Sequence, residues 1–472
     1  MIIPIIIVAC YFLITIIVGV FTKRTKDSKT FHGANLGFIT CVAVGAGEWL
    51  GGTSTTGVSE YGYLYGISGS WYTIANGIGI IVLGLFFAKK FRNLQKPTIS
   101  GIIGEHIGGK TQIVSGVFQL VIMVVVGVSQ MIAIGTIGQA LFGLAPEISI
   151  SVMGAGVLLY TVLGGMNAVG KTNVLHMIVM YVCAIVALIV CVTSAGGIKN
   201  VAESLPSSYF SMGTIGGAKI SSWIIASVLG ACVAQAGLQP ILAAKNERVA
   251  KSASLTIAFV VIPFGIITAL LGIVARYQFP DLVNAKMALP TLLLSLNPYI
   301  GGIVMASIMA AVLSTAAPIF LSCGTLFTKD VYSYISYDRD NEKKIFRVSK
   351  VSTLVFGLAC IVLALLLYKL QTVLDIVYFA YSLRGSLFVI LLLGMYWKKV
   401  SPLICNIAMG VTCVGALSWV IIKTITGSYP IFSWLTETYV AIFLAVIVSI
   451  VGSLIVLTIN KRRNDKPKEE EV

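Results

Sequence analysis

Apolar residues in this chain come in long blocks. They do not alternate as in a strand, and they do not form the one-sided stripe of a surface helix. A bilayer-spanning helix needs roughly 20 mostly apolar residues. Thirteen runs meet or approach that length: 2–22, 36–57, 68–90, 111–143, 146–163, 171–195, 219–241, 253–277, 299–328, 346–369, 372–397, 400–423 and 436–460. Two stretches inside them break the pattern, GAGEWLGG (Gly45 to Gly52) and AAVLSTAAP (Ala310 to Pro318). Both put small or hydroxyl residues, with their backbone carbonyls, where a lipid-facing helix would carry leucine. Irregular or polar backbone at that depth is tolerated only where it is buried in protein or lines a cavity. The pattern therefore predicts an all-α membrane protein with broken helices.

The helix breakers suggest how the spans are organised. Run 36–57 is interrupted by Gly45, Gly47, Gly51 and Gly52, then by a Thr/Ser stretch, and run 219–241 carries Gly230, Gly237 and Pro240 beside Gln235 and Gln239. Each opens a block of five spans, 36–195 and 219–397. Correspondingly interrupted segments in two halves point to an inverted five-plus-five helix repeat with a binding site between the halves. Residues 1–460 then form one transmembrane domain, with an extra helix at 2–22, two more over 400–460, and a charged tail at 461–472. The loops 196–218 and 278–298 are long enough to form a partial lid, and segment 95–110 is polar enough to remain a cytoplasmic connector.

Charge sets the orientation. Only 11% of the 472 residues are charged and 57% are apolar, against about 25% charged in an average soluble protein. With the N-terminus outside, the basic groups at Lys23–Lys29, Lys89–Lys110, Lys171, Lys245–Lys251, Lys329–Lys350, Lys398–Lys399 and the tail all fall in the cytoplasm. That is the positive-inside pattern. It accounts for the net charge of +15 through topology and membrane lipid, without nucleic acid. The first apolar run has no basic residues before it and no small-residue cleavage site, so it reads as a retained helix. The nine cysteines lie scattered in apolar segments, as small hydrophobes do. His106 and His176 read as cytoplasmic and His32 as near-surface. No nucleophile–base pair, phosphate loop or metal cluster supports an enzyme.

Candidate chemistry gathers in the two irregular stretches. A sodium ion needs a shell of oxygens, and backbone carbonyls supply them where a helix is unwound. Ser314 and Thr315 add hydroxyls, and Ala311 lies one turn before them. A Ser-Thr pair in a span also serves simply to bond the preceding turn. Glu48 is the one carboxylate read near the middle of a span, and Arg384 the one basic residue deep in another. Intramembrane ionisable groups default to a functional hypothesis: Glu48 is suited to contact a cationic substrate, to carry a proton, or to pair with Arg384. Gln130 and Gln235 are polar groups at comparable depth, suited to bind substrate or to bond helix to helix. Asp375 reads as solvated at a membrane edge.

The motifs together resemble those of the sodium:solute symporter family. AAVLSTAAP is similar to its A-x-M-S-T motif, and TKDVY (Thr328 to Tyr332) to the stretch that closes that helix. GGMNAVGKTNVLH (Gly164 to His176) is similar to G-G-x-x-A-V-x-x-T-D-x-x-Q, and LQPILAAK (Leu238 to Lys245) to Q-P-x-x-x-A-R/K. EYGYLYGISGSWY (Glu60 to Tyr72) is similar to G-x-x-x-x-x-G-x-S-x-x-W. The matches run in order over roughly 30–400. The resemblance implies a co-transported sodium held by the carbonyls of Gly47, Leu50 and Ala311 and the hydroxyls of Ser314 and Thr315. It also implies a small-molecule substrate beside that ion, faced by Trp49, Ser54, Thr73 and Asn76.

Two departures stand out. Asn173 replaces the family's aspartate, and Ala316-Ala317-Pro318 replaces x-D-S. Both weaken a second ion site, so the expectation is one sodium per substrate. The sequence thus reads as a sodium-coupled symporter importing a small polar organic solute, an amino acid, carboxylate or similar nutrient. A proton-coupled or uncoupled carrier using Glu48, or a membrane sensor on the same fold, is the alternative.

Overall fold

The computed structural model describes residues 2–21, 35–336, 341–369 and 373–464. The basic group from Lys23 to Lys29, His32, residues 337–340 of the charged loop and the tail beyond 464 lie outside the described residues. The described chain is helical, and a lone bridge between Leu36 and Ala244 is its one β-type pairing. We number the principal helices α1 (Ile2–Phe21), α2 (Phe38–Trp49), α3 (Val58–Tyr65), α4 (Trp71–Val82), α5 (Ile99–Ile107), α6 (Gly109–Phe142), α7 (Pro146–Ser194) and α8 (Gly217–Ala231). They continue with α9 (Gln235–Leu242), α10 (Glu247–Gln278), α11 (Ala288–Leu294), α12 (Pro298–Leu326), α13 (Glu342–Leu367), α14 (Val373–Tyr396), α15 (Pro402–Thr426) and α16 (Glu437–Asn464). Eleven helical stretches among the described residues are long and apolar enough to cross a membrane. Ile2–Thr15 and Phe38–Trp49 are shorter apolar helices. The chain is an integral, multi-pass membrane protein.

Helix α12 forms the buried axis. Its window of highest hydropathy is 94% buried, and it packs on α1, α2, α6, α7 and α13. Helices α15 and α16 pack on each other and turn most of their apolar surface outward, as expected where lipid is the solvent. The runs 146–163 and 171–195 are two helical segments, which we label together as α7, divided at Gly165, whose φ of 64° and ψ of −171° are not helical. That backbone suits glycine, which has no Cβ to clash.

Both interrupted helices of the sequence pattern are interrupted in the fold. Helix α2 ends at Leu50 and the chain passes through a wide π-type turn at Thr53–Gly57 before α3. The Thr/Ser stretch satisfies the carbonyls released there. Ser54 and Thr55 hydroxyls each donate to the Gly51 carbonyl at 3.0 Å, and Thr56 donates to Gly52 at 2.7 Å. The second break lies between α8 and α9, where the Gln119 amide on α6 donates to the Val233 carbonyl. Gln130, three turns along α6, takes the Gly52 N–H at 2.8 Å. One face of α6 therefore serves both breaks.

Three sequence expectations need correction. Segment 95–110 is more than a polar connector, because α5 inside it buries Ile99, Ile102 and Ile103. His176 lies within α7, fully buried, with Tyr11 of α1 on its Nδ1 at 2.5 Å. Asp375 is half-buried in a network with Tyr61 (3.0 Å) and Lys219 (3.2 Å). The long loops do cover one end of α3. The Tyr63 hydroxyl donates to Phe279 and Pro280 carbonyls, and the Tyr209 hydroxyl to the Tyr63 carbonyl.

Helices α3 and α10 touch backbone to backbone. A Cβ on Gly272 would sit 2.9 Å from both the Gly62 Cα and the Tyr63 nitrogen. Gly272→Val is expected to cost about 1–3 kcal/mol of stability through overpacking, read as a lower melting temperature of the purified protein. Surface-facing Gly410, with open space around it, should accept alanine without that loss.

Candidate ion and substrate site

The two irregular stretches meet where α2 ends against the middle of α12. A Cβ on Gly47 would lie 2.6 Å from the Ser314 carbonyl oxygen and 2.7 Å from Asn173 Nδ2, so glycine is what lets the helices approach. Across the contact the Thr315 hydroxyl donates to the Gly47 carbonyl and, at 3.3 Å, to that of Ala311. Ser314 Oγ donates to the same Ala311 carbonyl at 2.8 Å. Four of the five residues expected to hold an ion are thus joined in one buried hydrogen-bonded cluster. The fifth, Leu50, is the residue at which α2 stops, with φ −104° and ψ 36°. Each hydroxyl has two lone pairs and a rotatable proton. The cluster can therefore turn its protons away and present oxygens to a hard cation. Neutral oxygens in an apolar setting suit a monovalent alkali ion better than a softer metal. Among the described residues no three His, Cys, Asp or Glu gather as a metal site.

The two departures from the family motifs prove to be one device. Pro318 lies inside α12 and has no N–H to give the Ser314 carbonyl four residues back. The Asn173 amide fills that role, its Nδ2 donating to the Ser314 oxygen at 2.9 Å. An ionised aspartate has no proton to donate and would set charge against a carbonyl.

Glu48 and Arg384 are in contact. Arg384 Nη2 lies 2.7 Å from Glu48 Oε1, both side chains fully buried. The guanidinium lies over the rings of Tyr381, at 4.7 Å, and Trp49, at 6.0 Å. Tyr72 stacks on Tyr381 and shares a hydroxyl contact of 3.2 Å with it. Trp223 stacks on Tyr378 at 4.2 Å. Gly237 on α9 packs closely on the pair: a Cβ there would lie 3.2 Å from Trp49 Nε1 and 3.4 Å from Glu48 Cγ. Glu48 is not the only carboxylate buried in a span. Glu60 takes the Val373 N–H at 3.4 Å, and Asp330 holds Thr98 at 2.8 Å and Gln112 at 2.9 Å.

The other expected substrate residues divide. Ser54 and Gln130 sit at the α2 break, where Gln130 Nε2 also reaches Thr53 at 2.8 Å. Thr73 and Asn76 are buried on α4 with Tyr72, and the Asn76 amide has no hydrogen-bond partner among the described residues. Gln235 lies apart from them. It binds the Ile99 N–H at 3.0 Å and the Pro97 carbonyl at 3.2 Å, tying α9 to α5. Gln119 and Asp330 were missed by sequence reasoning. A lone glutamine in an apolar run and an aspartate beside a charged loop give no periodic signal.

A seam of carbonyls, hydroxyls and one ion pair enclosed by apolar spans is the architecture of a membrane solute transporter, not of an enzyme. The chain belongs to the sodium:solute symporter family, whose model matches residues 30–403. It is 24% identical over 477 residues to the osmoregulated proline transporter OpuE of Bacillus subtilis (strain 168), covering 96% of this chain and 94% of that one. It is 24% identical over 460 residues to the sodium/proline symporter of Escherichia coli (strain K12), covering 92% and 89%. The human high affinity choline transporter 1 is 25% identical over 393 residues, covering 75% and 66%. Among solved structures, a Na+-coupled sialic acid symporter in a substrate-bound outward-open state shares the fold. Its TM-score is 0.77 at 16% identity, covering 96% of this chain and 98% of that one. MhsT in complex with L-phenylalanine aligns with a TM-score of 0.58 at 14% identity, covering 87% and 98%.

The Asn173–Pro318 device makes a prediction. Asn173→Asp should lower the melting temperature, by the equivalent of about 1–3 kcal/mol or more for a buried acceptor facing a charge. Adding Pro318→Ala restores an N–H for the Ser314 carbonyl and should recover much of that loss. A thermal double-mutant cycle with no coupling between the two sites would contradict the assignment.

Proposed function

We propose that this protein is a sodium-coupled symporter that imports a small polar organic solute by alternating access, one sodium per substrate. The observation that carries the reading is the junction of Gly47, Ala311, Ser314 and Thr315, where the end of α2 meets α12 through carbonyl and hydroxyl oxygens. In this reading the ion is held by the Gly47, Leu50 and Ala311 carbonyls and the Ser314 and Thr315 hydroxyls. Neutral Asn173, Ala316 and Ala317 supply no carboxylate for a second ion. Relatives named for proline and choline transport support a small organic cargo.

The proposed topology has thirteen transmembrane helices in one domain over 1–460, the N-terminus outside and the tail cytoplasmic, in a bacterial cell membrane. An inverted repeat relates 36–195 to 219–397. In that topology Lys219, Asp375 and Tyr61 close the outer end, while Asp330 with Thr98 and Gln112, and Gln235 with α5, close the inner one. Sodium pins α2 to α12 and organises the adjacent substrate site among Trp49, Ser54, Thr73, Asn76 and Gln130. Substrate then permits closure, and opening of the inner contacts releases both into low cytoplasmic sodium. An inward-negative potential adds about 2.3 kcal/mol per charge per 100 mV.

Proteoliposome uptake tests this reading. Transport should require sodium, with a Hill coefficient near one, and Thr315→Ala should raise the half-maximal sodium concentration about tenfold or more, as for a lost ligand. Uptake that follows a proton gradient with sodium replaced by potassium would reject it in favour of Glu48 as a proton carrier.

A further inference from the structure

The Glu48–Arg384 pair is not explained by stability. Removing two charges from water costs more than their mutual attraction returns unless the remaining donors and acceptors are also satisfied. Here they are not. Glu48 Oε2, Arg384 Nε and Arg384 Nη1 are all buried without a hydrogen-bond partner among the described residues. Both amide atoms of Asn76, one turn along α4 from Tyr72, are in the same condition. An apolar bundle leaves such groups unmade only at a large cost. The pair thus exposes one unmet acceptor on its negative partner and two unmet donor nitrogens on its positive one. Aromatic rings of Trp49, Tyr72 and Tyr381 surround them.

We propose that Glu48 and Arg384 together read the charges of the substrate, and that the substrate is a small zwitterion carrying both a carboxylate and a cationic nitrogen. The inference rests on the transporter reading above and adds the substrate class. The carboxylate takes the free N–H groups of Arg384, in charge-assisted hydrogen bonds that are among the strongest available. The cationic nitrogen takes Glu48 Oε2, and the electron-rich faces of Trp49 and Tyr381 favour it further. A net-neutral ligand leaves the charge of the buried pair balanced. A lone anion or lone cation would add an uncompensated charge among fully buried groups, which opposes its entry. Glu48 also follows Gly47 in the chain, so an ion on the Gly47 carbonyl fixes the backbone from which the substrate's acceptor projects. Sodium and zwitterion then share one helix end, which is a physical route for each to tighten the other.

Purified full-length protein tests this by thermal melting in sodium chloride and in potassium chloride. The probes are matched sets: each standard L-amino acid, and N-trimethylglycine, with its methyl ester, which keeps only the cation, and its deaminated or demethylaminated acid, which keeps only the anion. A neutral polyol completes the panel. At least one zwitterion should raise the melting temperature by several degrees, while its ester and its acid each need about tenfold higher concentration or more. In Glu48→Gln the zwitterion should lose its advantage over the matching acid, because Arg384 alone then remains charged. A purely structural pair would lower binding of every probe together. If Glu48→Gln does not fold, the wild-type sets decide. A best ligand that is singly charged or neutral, or a panel in which no zwitterion stabilises the protein, overturns the inference. A zwitterion that binds equally in sodium and potassium contradicts sodium coupling and leaves this inference standing. A neutral solute that binds only with sodium does the reverse.

Discussion

A helix broken inside an apolar bundle releases N–H and C=O groups that no water will meet, and the rest of this structure is arranged around meeting them. Helix α6 places Gln130 on the first break and Gln119 on the second. The Ser/Thr stretch after Gly52 folds its hydroxyls back onto freed carbonyls. Asn173 caps the one carbonyl that Pro318 abandons in α12. What is left is a small set of oxygens facing one another between α2 and α12. There the Thr315 and Ser314 hydroxyls meet the Gly47 and Ala311 carbonyls, and in the proposed reading a cation takes over those hydrogen bonds.

The same helix end carries the charge chemistry. Gly47 turns its carbonyl to α12, and the next residue sends its carboxylate to Arg384 on α14. Packing is close here, since Gly237 lets α9 approach Trp49 and Glu48. In the proposed reading, ion and cargo act on consecutive residues at the end of α2 and need no long path of communication.

Much of this was legible in the sequence for a physical reason. Glycine runs and hydroxyl pairs are conspicuous against leucine, isoleucine and valine, so both broken segments and the Ser314–Thr315 pair stood out. The division of α7 at Gly165 falls between two runs that the pattern already separated. What stayed hidden was contact. Glu48 and Arg384 lie in distant segments, and only the fold brings their side chains together. Gln235 reads equally as a substrate ligand or as a bond between helices, because polarity at depth is all that a sequence shows, and in the fold it bonds Pro97 and Ile99. His176 reads as cytoplasmic from its neighbours, and Glu60 and Asp330 stand in the sequence only as members of motifs, yet all three are buried. Segment 95–110 hid a helix because its buried isoleucines, Ile99, Ile102 and Ile103, are interspersed with glycines and polar residues.

Direct binding of 22Na+ to the purified protein is the closest test of the central claim, because it asks the α2–α12 junction itself without cargo or gradient. The account predicts saturable binding approaching one ion per chain, abolished or strongly weakened in Thr315→Ala that still folds. Saturable binding that is the same in Thr315→Ala, or no saturable binding in the wild type, would contradict it.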